Sequence, residues 1–278
     1  MKRTICLLLV AAALGDVTAL AFPPAPYHLI YGTVRDQYGT PLTVSQDQIL
    51  LETRSGVTLP VNITPGLAAG INYEIKVPMD AGLTSDLYQA NALLFATPFQ
   101  MYVVIGTTTN VPLQTLTNSM ALGLPGQSTR VDLTLGIDSN GDGIPDAWEQ
   151  AFLAALGLNL PLSALNPNMD LAHDGRTLLQ EFLLGDYPFD PAQQFQVSIV
   201  GLNGSAPVVQ FPTMTGRSYI LLGSSDNKNW EPLPFNLPGD PPGAAHTFYY
   251  APKIGSAQVQ VIPPVGATNG LFLKMLLQ

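Results

Sequence analysis

Asp138-Ser-Asn140-Gly-Asp142-Gly143-Ile-Pro-Asp146-Ala-Trp-Glu149 matches the calcium-loop template D-x-[DN]-x-[DN]-G-x5-E in every specified place. A hard cation such as Ca2+ takes about six to eight oxygens, and a loop of this kind supplies them from positions 1, 3, 5, 7, 9 and 12. Here those positions are Asp138, Asn140, Asp142, the Ile144 carbonyl, Asp146 and Glu149. Gly143 stands where the loop must turn sharply, since a residue without Cβ takes the backbone angles that wrapping an ion demands. Four carboxylates this close repel one another unless a cation neutralises them. A plain Asx/Gly turn before a helix accounts for the composition of the run, but not for its spacing or its terminal Glu.

Upstream of the loop, Arg130 to Leu135 alternates like a strand; downstream, Ala147 to Leu156 reads as a helix. The unit is therefore expected to be strand, loop, helix. In paired EF-hands a β-branched residue at position 8 donates its N–H to the partner loop, whereas this chain has Pro145, which has no N–H to give. Sliding the chain against itself by 32 positions lays Asp138, Asp142, Gly143 and Glu149 on Asp170, Asp174, Gly175 and Glu181. This second copy has lost two oxygen ligands, at Ala172 and Leu178, so its affinity is expected to be lower or nil. His173, at its position 4, reads as a solvent-facing turn residue. Trp148, Phe152, Leu153 and Leu156 share one face of the first helix, and Leu178, Leu179, Phe182 and Leu183 one face of the second. Two such faces pack on each other, which makes Trp148 and Phe152 core residues and not a ligand-stacking platform.

The paired loops, with the closing Leu178-Leu-Gln-Glu181-Phe-Leu-Leu-Gly185-x-x-Pro-x-Asp-Pro191, resemble the thrombospondin type 3 and dockerin-like calcium repeats of secreted bacterial proteins. The resemblance implies EF-hand-like repeats that bind calcium and stiffen the junction between flanking β modules. Asp138, Asn140, Asp142, Asp146 and Glu149 match that motif residue by residue; Asp170, Asp174 and Glu181 match it in part. Dockerins pair with a cohesin partner through two complete repeats, and the decayed second loop argues against that partner.

On either side the chain reads as short strands broken by Gly, Pro, Asn and Asp clusters. Before the loops these are Leu29 to Val34, Gln48 to Arg54, Asn72 to Val77, Phe99 to Ile105 and Thr129 to Leu135. The opening Tyr31-Gly-Thr-Val-Arg-Asp-Gln-Tyr-Gly39-Thr-Pro-Leu42 resembles the first hairpin of carboxypeptidase-regulatory-like, transthyretin-like domains, which implies a non-catalytic seven-stranded module; an immunoglobulin-like topology stays open. After the loops come Phe195 to Val200, Pro207 to Phe211, Ser218 to Leu222, Thr247 to Tyr250, Ala257 to Ile262 and Leu271 to Leu276. The stretch Thr215 to Trp230 is similar to the small β modules that end many secreted bacterial proteins behind calcium repeats, a likeness that brings no activity with it. The expected fold is mainly β: two antiparallel β-sandwich domains, 22–136 and 192–278, joined by a helical calcium-loop element at 137–191.

Lys2 and Arg3, the apolar stretch Ile5 to Leu14 and Ala19-Leu-Ala21 form a signal peptide, 1–21, with cleavage expected after Ala21. The apolar run is too short for a membrane span. Cys6 lies inside it, so the mature chain has no cysteine and must hold together by core burial, with bound metal as an optional further support. Removing Lys2, Arg3 and Asp16 takes the formal charge from -9 to -10. So acidic a surface repels nucleic acid and anionic membranes.

Nothing in the chain has the pattern of an enzyme. His28, His173 and His246 are isolated in sequence, G-x-S-x-G is absent, and no zinc spacing such as His-Glu-x-x-His occurs. Ser225-Asp-Asn-Lys228 contains S-x-x-K and S-D-N overlapping on one turn, where the enzymes that use them keep them far apart. The one acidic cluster is taken up by the loops. The sequence therefore points to a secreted or periplasmic calcium-binding structural or adhesion protein, its partner an extracellular protein or glycan. The alternative is a carbohydrate-binding accessory module, with Trp230, Tyr249 and Tyr250 as a sugar-stacking face.

Overall fold

Alternation of apolar and polar residues produces strands with one buried face at His28–Gly32, Gln48–Thr53 and Tyr73–Val77. The computed structural model describes residues 24–83, 91–117, 120–185, 195–204, 206–264 and 270–278. The expected leader and its cleavage point lie outside them, as does most of the stretch from Gly185 to Pro191. The fold is mainly β, with several sheets and few short helices. Among the described residues no helix is long and apolar enough to cross a membrane.

The first part comprises β1 (His28–Gly32), β2 (Val34–Arg35), β3 (Gln48–Thr53), β4 (Thr58–Asn62), β5 (Tyr73–Val77), β6 (Pro98–Ile105) and β7 (Thr108–Asn110). A short helix α1 (Leu113–Thr117) then leads to β8 (Met120–Ala121), β9 (Ser128–Arg130) and β10 (Leu133–Thr134). One sheet has the order β5-β1-β9, continued by the pair β10-β2; the other runs β4-β3-β6-β7, with β8 also on β6. Ile30, Ile75 and Val77 from the first and Ile49, Leu51, Met101 and Val103 from the second share one buried cluster. The pairing departs from the antiparallel expectation, because β1 with β9 and β2 with β10 are parallel. β9 reaches β1 only after the chain has built the other sheet, so no hairpin constrains its direction. Asn72 pins the break between β1 and β2: its Oδ1 accepts from Val34 N–H at 2.8 Å and its Nδ2 donates to the carbonyls of Val34 and Leu42 at 3.1 Å.

The middle part contains α2 (Asp146–Leu156), a single 3-10 turn at Leu162–Ala164 and α3 (Leu178–Leu184). The last part comprises β11 (Ser198–Asn203), β12 (Ala206–Thr213), β13 (Ser218–Ser224), β14 (Glu231–Pro232), β15 (Phe235–Asn236), β16 (Tyr249–Tyr250), β17 (Gly255–Val261) and β18 (Phe272–Leu277). Its sheets are β11-β12-β17-β15 and β14-β13-β16 with β18 on the other edge of β13, and their named pairings are all antiparallel. Val209, Phe211, Val259 and Phe235 meet Tyr219, Leu221 and Leu233 in a second buried cluster.

A third cluster belongs to the helices: Ile144, Trp148, Phe152, Leu153, Leu165, Leu178 and Phe182. Trp148 stacks on Phe152 with centroids 4.8 Å apart and meets Phe182 edge-on at 5.7 Å, so the helices pack on each other as their apolar faces require. The stripe on α3 is narrower than expected. Leu178 and Phe182 are buried, whereas Leu179 and Leu183 are exposed, because the rings of Trp148 and Phe152 fill only one side of so short a helix.

Candidate metal centre

The loop before α2 folds around the Asp138 carboxylate. Its Oδ1 accepts from the N–H groups of Gly141 at 2.7 Å and Asp142 at 3.2 Å, and its Oδ2 from Gly143 N–H at 2.8 Å. Asp142 Oδ1 accepts from Ile144 N–H at 2.9 Å, and Asp146 Oδ1 reaches back to Ser139 N–H at 2.8 Å. Gly141 and Gly143 hold φ of 74° and 92°, a left-handed backbone that a side chain would strain. Pro145 takes the N-cap of α2 and its carbonyl accepts from Trp148 and Glu149 N–H, which starts the helix on which Glu149 stands.

The second loop repeats this scheme 32 residues on. Asp170 accepts from Asp174 N–H at 3.2 Å and Gly175 N–H at 3.0 Å, and Asp174 Oδ1 accepts from Arg176 N–H at 2.9 Å. Gly175 has φ of 89°, and His173, exposed and with φ of 56°, occupies the place of Gly141. The loops are thus two copies of one backbone device, and His173 is the turn residue expected of it. The copies differ in their side chains: Ala172 replaces Asn140, and Leu178 replaces Asp146 and joins the third cluster. Glu181, like Glu149, is buried at the helix start. Thr177 caps α3 with a capping box instead of a proline.

In the first loop the oxygens of positions 3, 5 and 12 are distinctive. Asn140 Oδ1, Asp142 Oδ2 and Glu149 Oε2 are buried and accept no hydrogen bond. Asn140 is oriented by its nitrogen, which donates to the Leu162 carbonyl at 3.1 Å and to Glu149 Oε1 at 3.3 Å; its oxygen is left over. Sequence reasoning missed the Leu162 carbonyl, and a backbone acceptor beyond the loop leaves no signal by which to find it. Glu149 has no exposed surface, and burial, followed by the charge of Asp142, pushes its carboxyl up to about 7. Burial also raises Asp142, with Asp138 adding to the shift. A buried acceptor without a donor costs about 1–3 kcal/mol, so the three together call for compensation, by a proton shared between Glu149 and Asp142 or by a ligand.

A hard cation fits that need, since the three atoms are all oxygens, two of them from carboxylates, at positions the motif assigns to ligands. Among the described residues, however, no group of three His, Cys, Asp or Glu side chains stands close enough to hold a metal as placed. Asp138 and Asp146 turn oxygens toward loop N–H groups, so coordination requires the carboxylates to rotate inward, as a cation's field would draw them.

Elsewhere the aromatic residues do not form one face. Tyr249 lies opposite Tyr219 and Glu231 opposite Gly223, which puts Trp230 and the Tyr249–Tyr250 pair at opposite ends of β13, roughly 16 Å apart at strand rise. Lys274 Nζ covers the Trp230 ring at 5.3 Å, and Tyr249 packs against Phe211 in the second cluster. His28 is buried, its Nε2 paired with the Thr129 hydroxyl at 2.8 Å and its Nδ1 accepting from Gly123 N–H at 3.0 Å, and His246 pairs with Asp240 at 3.0 Å. In comparisons with known proteins the chain matches no family model, no curated protein and no solved structure.

Proposed function

We propose that this is a secreted, non-enzymatic calcium-binding protein of structural or adhesive role. In this reading Asp138, Asn140, Asp142, the Ile144 carbonyl, Asp146 and Glu149 hold Ca2+, and the ion rigidifies the junction between two β-sandwich domains. Asp170, Asp174 and Glu181 form a weaker second site. The likeness to thrombospondin type 3 and dockerin-like repeats belongs to the same proposal. The observation that carries it is the set of three buried, unpartnered oxygens at positions 3, 5 and 12 of the first loop. A structural turn gains nothing from burying such atoms, whereas an ion converts each into a ligand. The ion acts by neutralising clustered carboxylates, and an extracellular site of this type works at Kd of about 0.1 to 1 mM. Thermal melts of the mature chain in calcium and in chelator test the proposal. A higher melting point in calcium, lost in Asp142→Ala, is expected; identical melts in the two buffers would reduce the loop to a turn.

A further inference from the structure

The largest fully buried side chain among the described residues is a charged one, Arg217, 2% exposed. Burial, and then the charge of Arg35, lower its guanidinium to about 10, so it remains a cation at neutral pH. A desolvated cation has to be held by acceptors, and here they come from separate elements. Nη1 donates to the carbonyl of Leu183, and Nη2 to the carbonyl of Gly39 at 2.6 Å. Leu183 lies in the last turn of α3, where carbonyls have no partner within the helix. Gly39 lies in the turn that follows β2, where Asp36 Oδ1 accepts from Tyr38 and Thr40 N–H. Arg217 itself directly precedes β13, its own carbonyl accepting from Ala251 N–H at 2.9 Å. One side chain therefore ties the helical element to both β parts.

The surroundings fit that position. A Cβ on Gly185, the cap of α3, would stand 2.5 Å from Arg217 Nη2; a Cβ on Gly39 would stand 2.6 Å from the Phe182 carbonyl; and one on Gly216 would meet Pro41 at 3.0 Å. Bare glycines let the three elements close on the guanidinium. The candidate calcium loop connects to the same point, because Glu149 neighbours Trp148, Trp148 packs edge-on against Phe182, and Phe182 precedes Leu183.

We propose that Arg217 is the clasp through which calcium at the first loop is felt by both β parts. If the Leu183 carbonyl shifts, a buried charge loses an acceptor, so the contacts to Gly39 and β13 hold or loosen with α3. This rests on the calcium reading above.

The test is amide hydrogen exchange on the mature chain, in chelator and at ten times the calcium Kd, for wild type and Arg217→Met, with Kd measured by calorimetry. In wild type, calcium is expected to slow exchange about tenfold in α2 and α3 and also in the Asp36–Thr40 turn and β13. Arg217→Met is expected to bind calcium within about twofold of wild type, yet to keep only the protection in the helices. Wild-type protection of the turn and β13 in that variant would overturn the clasp. So would a wild type that binds calcium without protecting them, which would leave the calcium reading intact. A wild type that binds no calcium would overturn both. Should Arg217→Met fail to fold, Arg217→Gln, too short to span both carbonyls, carries the same test with the same outcomes.

Discussion

Replacing Glu149 by Gln is expected to raise stability without calcium and to remove the response to calcium. Glu149 is wholly buried, its Oε2 accepts no hydrogen bond, and its carboxyl sits at about 7 against an ordinary 4.5. A carboxyl raised in the folded state contributes stability that is fully present below about pH 4.5 and lost as the pH rises through about 7. At pH 8 the ionised group is therefore a liability of about 1–3 kcal/mol, the lower figure allowing for water that reaches the site. Gln is neutral at every pH, and its amide can donate to the unpartnered Asp142 Oδ2. At about 2–4 °C per kcal/mol for a chain of this size, the variant should melt roughly 2 to 12 °C above wild type in chelator. Calcium at 10 mM and a Kd of about 0.1 to 1 mM should stabilise wild type by about 1.4 to 2.7 kcal/mol, or roughly 3 to 11 °C. Glu149→Gln lacks the carboxylate of position 12 and should gain little. Calorimetric melts at pH 8 in both buffers measure all four values. A variant that melts at or below wild type in chelator, or that keeps the wild-type gain in calcium, refutes the reasoning.

The same carboxyl makes the calcium gain depend on pH: the ion must displace a proton held at about 7, so the gain in melting point should be larger at pH 8 than at pH 5.5. Equal gains would count against Glu149 as a ligand. Asp174→Ala should leave the Kd of the tighter ion within about twofold of wild type and affect only the weaker second site, because that loop lacks oxygens at Ala172 and Leu178; a weakened or lost tighter ion would contradict the assignment of that ion to the first loop. Phe182→Ala removes a buried ring from the small third cluster and should cost about 3–5 kcal/mol, with Trp148 emission moving to the red as its packing partner is lost; unchanged emission and stability would contradict the packing described.

The candidate site was largely legible because its information is local. Spacing alone pairs the loops, and the structure gives both the same carboxylate-to-backbone bonds and the same left-handed residue, Gly141 in one and His173 in the other. The orphaned oxygens fall where the motif places ligands. Strand positions followed from alternation in β1, β3, β5 and β6, but β4 escaped notice, since Pro60 argues against a strand and is tolerated there only because β4 is an edge. Strand direction was not legible. A period of two is the same in parallel and antiparallel pairs, so the parallel partnership of β1 with β9 left no local trace. The split of α3 into buried Leu178 and Phe182 and exposed Leu179 and Leu183 depends on where Trp148 arrives from α2. Arg217 was invisible for a different reason: its acceptors are carbonyls, which every residue carries.

Calorimetric titration of the mature chain with Ca2+, beside Asp142→Ala, tests the central claim most directly. Asp142 supplies one of the unpartnered buried oxygens and orders the loop by accepting from Ile144 N–H. The account expects saturable binding with Kd of about 0.1 to 1 mM in wild type and none over the same range in the variant. Absence of binding heat in wild type, or equal binding in both chains, would contradict it.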